Sequence, residues 1–249
     1  MKKKIYLSAS TLNIYRKCKR CFWLHIKKGI KRPRGPMPSI TTGLDLIIKE
    51  YFEYYRKMGQ LPPILEGKIS GKLIKKLEKT YYYDIDENFC LFGKLDECMV
   101  ENGKYAPLDH KTRASKPEYK NVHEAYKLQM SIYSLLLKEN KMDVSGVAYL
   151  VYYYPETSKI HNGIIFGVEV IPVETDIEKA REFIREAIEC LQSDELPESG
   201  ENCEYCKWIE SVKVYYPEKK IILPQEEPPP EEEPQEEEYP SFEDGTLFG

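Results

Sequence analysis

Three charged side chains, Asp96, Asp109 and Lys111, flank a turn signal in the stretch GKLDECMVENGKYAPLDHKT, residues 93 to 112. Asn-Gly is the preferred dipeptide of a two-residue type I′ hairpin, because both positions need positive φ. With Asn102 and Gly103 in that turn, Glu101 faces Lys104 and every cross-strand pair sums to 205. Asp96 then falls opposite Asp109 in a non-hydrogen-bonded pair, with Cβ atoms about 5 Å apart. Two carboxylates at that distance repel unless something positive sits between them. A divalent cation such as Mg²⁺ or Mn²⁺ suits them, since a hard cation takes oxygen ligands and commonly binds through one or two carboxylates. Period-2 alternation puts Lys111 on the face of Asp109, where its amine can stabilise charge developing on a phosphate, and turns the His110 side chain to the opposite face. A solvent-facing hairpin, its aspartates neutralised by Lys94 and Lys111, satisfies the same register.

A second set is made of thiols. Seven cysteines in a chain with no sign of secretion argue against a disulfide framework. Four form two CxxC pairs, Cys18 with Cys21 near the start and Cys203 with Cys206 far downstream. Each pair can chelate one soft metal centre, and together they supply the four thiolates of a zinc or iron-sulfur site. A shared site would clasp the two ends of the domain. Buried CxxC turns or separate redox pairs are the alternatives. Cys90, Cys98 and Cys190 read as small hydrophobes.

These groups must be held by regular elements. Residues 8 to 28 repeat apolar positions with helical spacing after capping Ser and Thr, as one helix or two short ones ending at Gly29. The spacing predicts further helices over TGLDLIIKEYFEYYRK, Ser70 to Lys79, residues 123 to 140 and Asp176 to about Gln192. Strands are expected between Tyr81 and Thr112, and at 146 to 154 and 163 to 171. Helices bracketing strands give an α/β fold with a central mixed sheet.

In this order the residues resemble the PD-(D/E)XK nuclease superfamily, specifically its RecB-like branch, which includes the CRISPR-associated exonucleases. Gly93-Lys94-Leu95-Asp96 is similar to the branch's G-x-x-D, Asp109-His110-Lys111 to D-x-K, and Gln129-Met130-Ser131-Ile132-Tyr133 to Q-x-x-x-Y on the next helix. The resemblance runs over roughly residues 5 to 210. It implies a restriction-endonuclease-like core and a metal-dependent deoxyribonuclease with an exonuclease-like role in DNA repair, recombination or defence. It further implies catalysis by Asp96, Asp109 and Lys111, a metal held by both aspartates and the His110 backbone carbonyl, and Gln129 and Tyr133 set against DNA. Some members carry an iron-sulfur cluster on one early and three late cysteines. Here the division is two and two, leaving 4Fe-4S or Zn²⁺. The early-helix histidine usual in the branch is missing, because four residues after Gly43 stands Ile47. A nucleic-acid-binding scaffold that kept the fold and lost cleavage is therefore the alternative.

Charge is divided unevenly. The last 26 residues, 224 to 249, hold ten acids, six prolines and no Lys or Arg. The remaining 31 acids meet 37 bases, and no acid precedes Asp45 although residues 1 to 34 contain twelve Lys and Arg. This one-signed block predicts a nucleic-acid surface, with a merely solvated basic face as the alternative. The resemblance implies that Arg16, Lys17, Lys19 and Arg20 would track DNA there, as single strands or duplex ends. Residues 1 to 223 are expected to form the nuclease-like domain. Residues 224 to 249 are expected to be a disordered tail, either a bland solubilising one or one whose tip, with Tyr239, Phe242, Leu247 and Phe248, docks into a partner protein. With neither an apolar run of membrane-spanning length nor a signal peptide, a cytoplasmic protein is expected.

Overall fold

The structure is a computed structural model describing residues 4–33, 35, 39–118, 122–156 and 163–216. Met1–Trp208 forms one compact unit and Ile209–Gly249 a second. The expected tail, its docking tip included, lies outside the described residues.

Eight strands form two sheets among the described residues. The larger has the order β2 (Lys72–Leu73), β5 (Glu97–Glu101), β6 (Lys104–Thr112), β7 (Val147–Pro155) and β8 (Phe166–Glu174). Its β6 and β7 are parallel and its other pairs antiparallel, so it is mixed. The smaller sheet sets β4 (Phe89–Gly93) between β1 (Ile5–Leu7), parallel to it, and antiparallel β3 (Tyr81–Asp84).

Two apolar clusters cover the faces of the larger sheet. On one side α1 (Ala9–Lys17), α2 (Lys19–Lys28), α4 (Glu124–Glu139) and α5 (Ile177–Gln192) bury Leu12, Tyr15, Phe22, Leu136 and Ile184 against Cys98 and Leu150. On the other, α3 (Ser39–Met58) packs Ile48 and Phe52 on Met99, Leu108 and Val151. Strand parity assigns the hairpin side chains. Met99, Ala106 and Leu108 belong to the α3 side, so residues alternating with them, Cys98 on one strand and Asp109 and Lys111 on the other, face α4.

One local expectation is narrowed and one changes. Residues 8 to 28 make two helices, because Cys18 takes an extended conformation between them, and its Sγ accepts from the N–H of Cys21 at 3.4 Å to cap α2. Ser70 to Lys79 is not a helix: Leu73 pairs with Met99 in β2, and the Ile74 N–H donates to the Cys98 carbonyl at 3.0 Å. Leu73, Ile74 and Leu77 have helical spacing, but the exposed edge of β5 offers the first two burial and backbone partners that an isolated turn cannot. A helix unmarked in the sequence reading, α6 (Glu204–Val212), follows Cys203.

Candidate active site and cysteine centre

The hairpin forms in the predicted register. Asn102 and Gly103 both have positive φ, 50° and 79°, and pairs run from Glu101 with Lys104 to Glu97 with Leu108. There the ladder stops, one residue short of Asp96. The carboxylate of Asp96 takes over its role, with Oδ2 accepting the His110 N–H at 3.0 Å. On the other edge, β7 pairs with β6 only from Leu108 onward, just past Pro107, which has no N–H to donate.

Asp109 is buried, only 2% exposed, yet surrounded by polar groups. The Lys111 ammonium contacts its Oδ2, and Gln129 Nε2 donates to its Oδ1 at 2.9 Å. Gln129 closes the set by accepting from Lys111 Nζ at 3.2 Å through Oε1 while Nε2 also reaches the Tyr133 hydroxyl at 3.0 Å. The i, i+4 spacing that brings Gln129 and Tyr133 to one helical face thus turns them inward onto the aspartate. Gly93 permits the close approach: a Cβ there would stand 2.6 Å from Leu136 Cδ1 and 3.2 Å from Tyr133 Cε1, both on α4.

Burial dominates the electrostatics. It pushes the carboxyl of Asp109 up to about 6, with the Lys111 charge pulling down and Asp96 adding to the rise. Asp96 is also raised, chiefly by burial, against the pull of the His110 N–H, Lys111 and Lys49. A cation that prefers oxygen would relieve both. The edge on which His110 gives its N–H to Asp96 also carries its carbonyl, since both groups of a strand residue point to one side. The donor set therefore fits a Mg²⁺-like ion. The His110 ring lies on the α3 face, edge-on to Phe52 at 4.3 Å between centroids, with Nδ1 3.2 Å from the Tyr153 hydroxyl. Burial drives its pKa down to about 3, so the ring is neutral.

Two contributors escaped the sequence reading. Tyr126 lies under the Lys111 ammonium, 4.8 Å from ring centre to Nζ, and its place three residues before Gln129 on one helix face was the available signal. The Asp45–Lys49 pair of α3, 2.7 Å apart, lies near enough for its charges to act on Asp96. Ile47, in the place of the usual histidine, is 64% exposed. Of the four basic residues assigned to DNA, Lys17 and Lys19 are exposed. Arg16 donates to Asn13 at 3.0 Å and Arg20 to the Pro197 carbonyl at 3.0 Å.

The four cysteines meet. Sulfur pairs 18/206, 21/203 and 21/206 are 3.8, 3.6 and 3.7 Å apart, and all four sulfurs lie within 4.8 Å of one another. Cys18 Sγ also accepts the Gly200 N–H at 3.2 Å, and a Cβ at Gly200 would stand 2.3 Å from the Lys17 carbonyl. Burial works to raise the Cys18 thiol, but the Gly200 and Cys21 N–H groups and the neighbouring thiols bring it down to about 6, toward the thiolate a metal needs. Arg32 adds a positive group 3.4 Å from Cys203 Sγ. Bonds of about 2.3 Å to one tetrahedral ion put sulfurs roughly 3.8 Å apart. A 4Fe-4S cluster instead ties each thiolate to a different iron, and the four buried cysteines could hold a metal of either kind.

Against protein-family models, residues 74–211, more than half the chain, match the PD-(D/E)XK nuclease superfamily. The chain belongs to this superfamily. The matched span includes both aspartates, Lys111, Gln129, Tyr133, Cys203 and Cys206. No curated protein matches. Among solved structures, this superfamily member is similar to SSO0001, at 18% identity and a TM-score of 0.44 over 87% of this chain and 88% of the other. It is also similar to an alkaline exonuclease (LHK-Exo) from Laribacter hongkongensis, at 10% identity and a TM-score of 0.42 over 84% and 92%. No helix among the described residues is long and apolar enough to cross a membrane.

Proposed function

We propose that this nuclease hydrolyses DNA phosphodiester bonds with a divalent metal, using Asp96, Asp109 and Lys111. One observation carries the reading: Asp109, Lys111 and Gln129 form a closed hydrogen-bonded set, and Asp96 lies near enough for its charge to act on Asp109. Mg²⁺ or Mn²⁺ held by the two carboxylates and the His110 carbonyl would supply Lewis-acid polarisation of the phosphate and a more acidic water. Lys111 places its positive charge where negative charge grows on the phosphoryl oxygens. Gln129 fixes the rotamers of both neighbours, and Tyr126 confines the lysine from the other side. Exposed Lys17 and Lys19 are available for phosphate contacts along the strand. The four cysteines, on this reading, hold a metal centre, a 4Fe-4S cluster or Zn²⁺, that ties the first two helices to the segment around Cys203.

Labelled single- and double-stranded DNA incubated with Mg²⁺ or Mn²⁺ provides the test. Wild type is expected to cleave, and Lys111→Ala to lower the rate by roughly 10²- to 10³-fold, the loss typical of one preorganised charge-stabilising donor. Exposed Ile47 in the usual histidine position favours a second reading, a scaffold that binds without cutting. Binding with no cleavage in either metal would establish that reading and overturn the enzyme.

A further inference from the structure

The outer face of the smaller sheet carries an unexplained row of aromatic rings. Alternation turns Leu7, Tyr81 and Leu91 into the core and leaves Tyr6, Tyr82 and Phe92 on the opposite face. Tyr82 is paired directly with Phe92 across the β3–β4 ladder, while Tyr6 of β1 pairs with Cys90 and so lies diagonal to Phe92. The ring centres of Tyr6 and Tyr82 are each 6.3 Å from that of Phe92, at interplanar angles of 73° and 27°. Tyr6 is 51% and Tyr82 55% exposed. Large rings left in water on three adjacent strands form a contiguous apolar surface, which calls for an occupant.

Phe92 connects this row to the catalytic groups. It lines the hollow shared with Lys4, Tyr6, Tyr82 and Asp84, and also a neighbouring hollow containing Lys94, Tyr126, Gln129 and Tyr133. Gln129 in that second hollow donates to Asp109 and accepts from Lys111. The charges suit a polyanion: Lys94 is exposed, and Asp84, which lines the aromatic hollow, is covered by Lys4 at 2.7 Å.

We propose that Tyr6, Phe92 and Tyr82 form a stacking platform for the bases of an unpaired nucleic-acid strand whose phosphodiester lies at Asp96, Asp109 and Lys111. The proposal rests on the nuclease reading and adds to it a preference for single-stranded substrate. Every base has a π-face, so such a platform is indifferent to sequence, and paired bases cannot use it because their faces are already stacked. A duplex would have to deliver a frayed end or a flap.

The test uses the full chain in a Lys111→Ala background with Mg²⁺, so that bound strands stay intact. Affinity for a single-stranded 12-mer carrying 2-aminopurine is read by anisotropy, and stacking by the fluorescence of that base. Tyr6→Ala combined with Tyr82→Ala is expected to weaken single-strand binding roughly tenfold or more, from the loss of two base–aromatic stacks. The same pair should abolish the 2-aminopurine quenching and change duplex affinity less than twofold. Tyr6→Phe with Tyr82→Phe should restore both signals, because the rings and not the hydroxyls act. Unchanged single-strand affinity in the alanine pair overturns the platform, as does equal loss for duplex. Tighter binding by the alanine pair also overturns it. Cleavage by protein with Lys111 intact is scored separately, so a platform that fails in an active nuclease is distinguished from a chain that cuts nothing.

Discussion

The carboxylate site and the cysteine centre solve the same problem, gathering repelling or reactive side chains, by opposite routes. Asp96 and Asp109 lie just beyond the last ladder pair of one hairpin closed by a two-residue turn, near enough for their charges to interact. Cys18 and Cys206 are 188 residues apart and meet only once the domain has closed. The first site balances its charge internally, with Lys111 and Gln129 on Asp109 and a backbone N–H on Asp96. The second consists of four buried thiols, whose mutual repulsion as thiolates only a cation can relieve. It follows that the carboxylate site keeps its geometry through its own hydrogen bonds, while the cysteine group is suited to a metal that would complete it.

Breaking each site once gives the largest expected contrast. If the cysteines hold a metal as proposed, Cys206→Ser should lower the amount bound and lower the melting temperature by on the order of 10 °C. Structural tetrathiolate sites contribute folding energy directly, and about 1 kcal/mol corresponds to roughly 2–4 °C in a domain of this size. Asp109→Asn should do the reverse, losing metal-dependent cleavage while melting within a few degrees of wild type. Metal analysis and calorimetry on both proteins check the pair, and equal destabilisation by the two substitutions would abolish the contrast.

A smaller effect sharpens the view that the carboxylate site is set by its own hydrogen bonds. Gln129 acts as a positioning residue, since it holds Asp109 and Lys111 and both are the groups assigned to chemistry. Gln129→Ala is expected to lower cleavage by about 10- to 100-fold, as loss of an outer partner of a metal ligand does. The acid limb of the pH–rate profile should also move upward, because the Asp109 carboxylate loses a donor that favours its charged form. A fall in rate with the acid limb unmoved would assign Gln129 a purely packing role.

The two regions were unequally readable. The hairpin register followed from one dipeptide and period-2 alternation, both of them local properties. The breakdown of the ladder at Asp96 was invisible, because it depends on how β6 leaves β5 for β7, a matter of tertiary packing. The inward turn of Gln129 and Tyr133 was hidden for the same reason: helical spacing puts them on one face, but only the approach of Gly93 to α4 decides what that face meets. The cysteine spacing announced a four-thiolate centre without fixing its nuclearity, which lies in sulfur–sulfur distances. At Ser70 to Lys79 helical periodicity misled, since pairing with β5 outweighed a weak local preference.

The smallest expected effect concerns Glu97, the chain neighbour of Asp96, on the sheet face opposite to that of Asp109. It is 2% exposed and lies 3.2 Å from the Arg56 guanidinium, yet burial outweighs that partner and pushes its carboxyl up to about 7. Its folded pKa exceeds the unfolded value near 4.3, so between those limits the folded state binds more protons and stability falls as pH rises. Below about pH 4 the two states hold equal protons, and above about 7 the loss is complete. Glu97→Gln removes this dependence and should flatten that part of the stability profile, measured by denaturant unfolding from pH 4 to 8. Asp109 adds a slope of the same sign up to about 6, and an added divalent metal is expected to oppose that slope alone. If the metal flattened the region between pH 6 and 7 as well, Glu97 would be coupled to the metal site and the two sheet faces would not act independently.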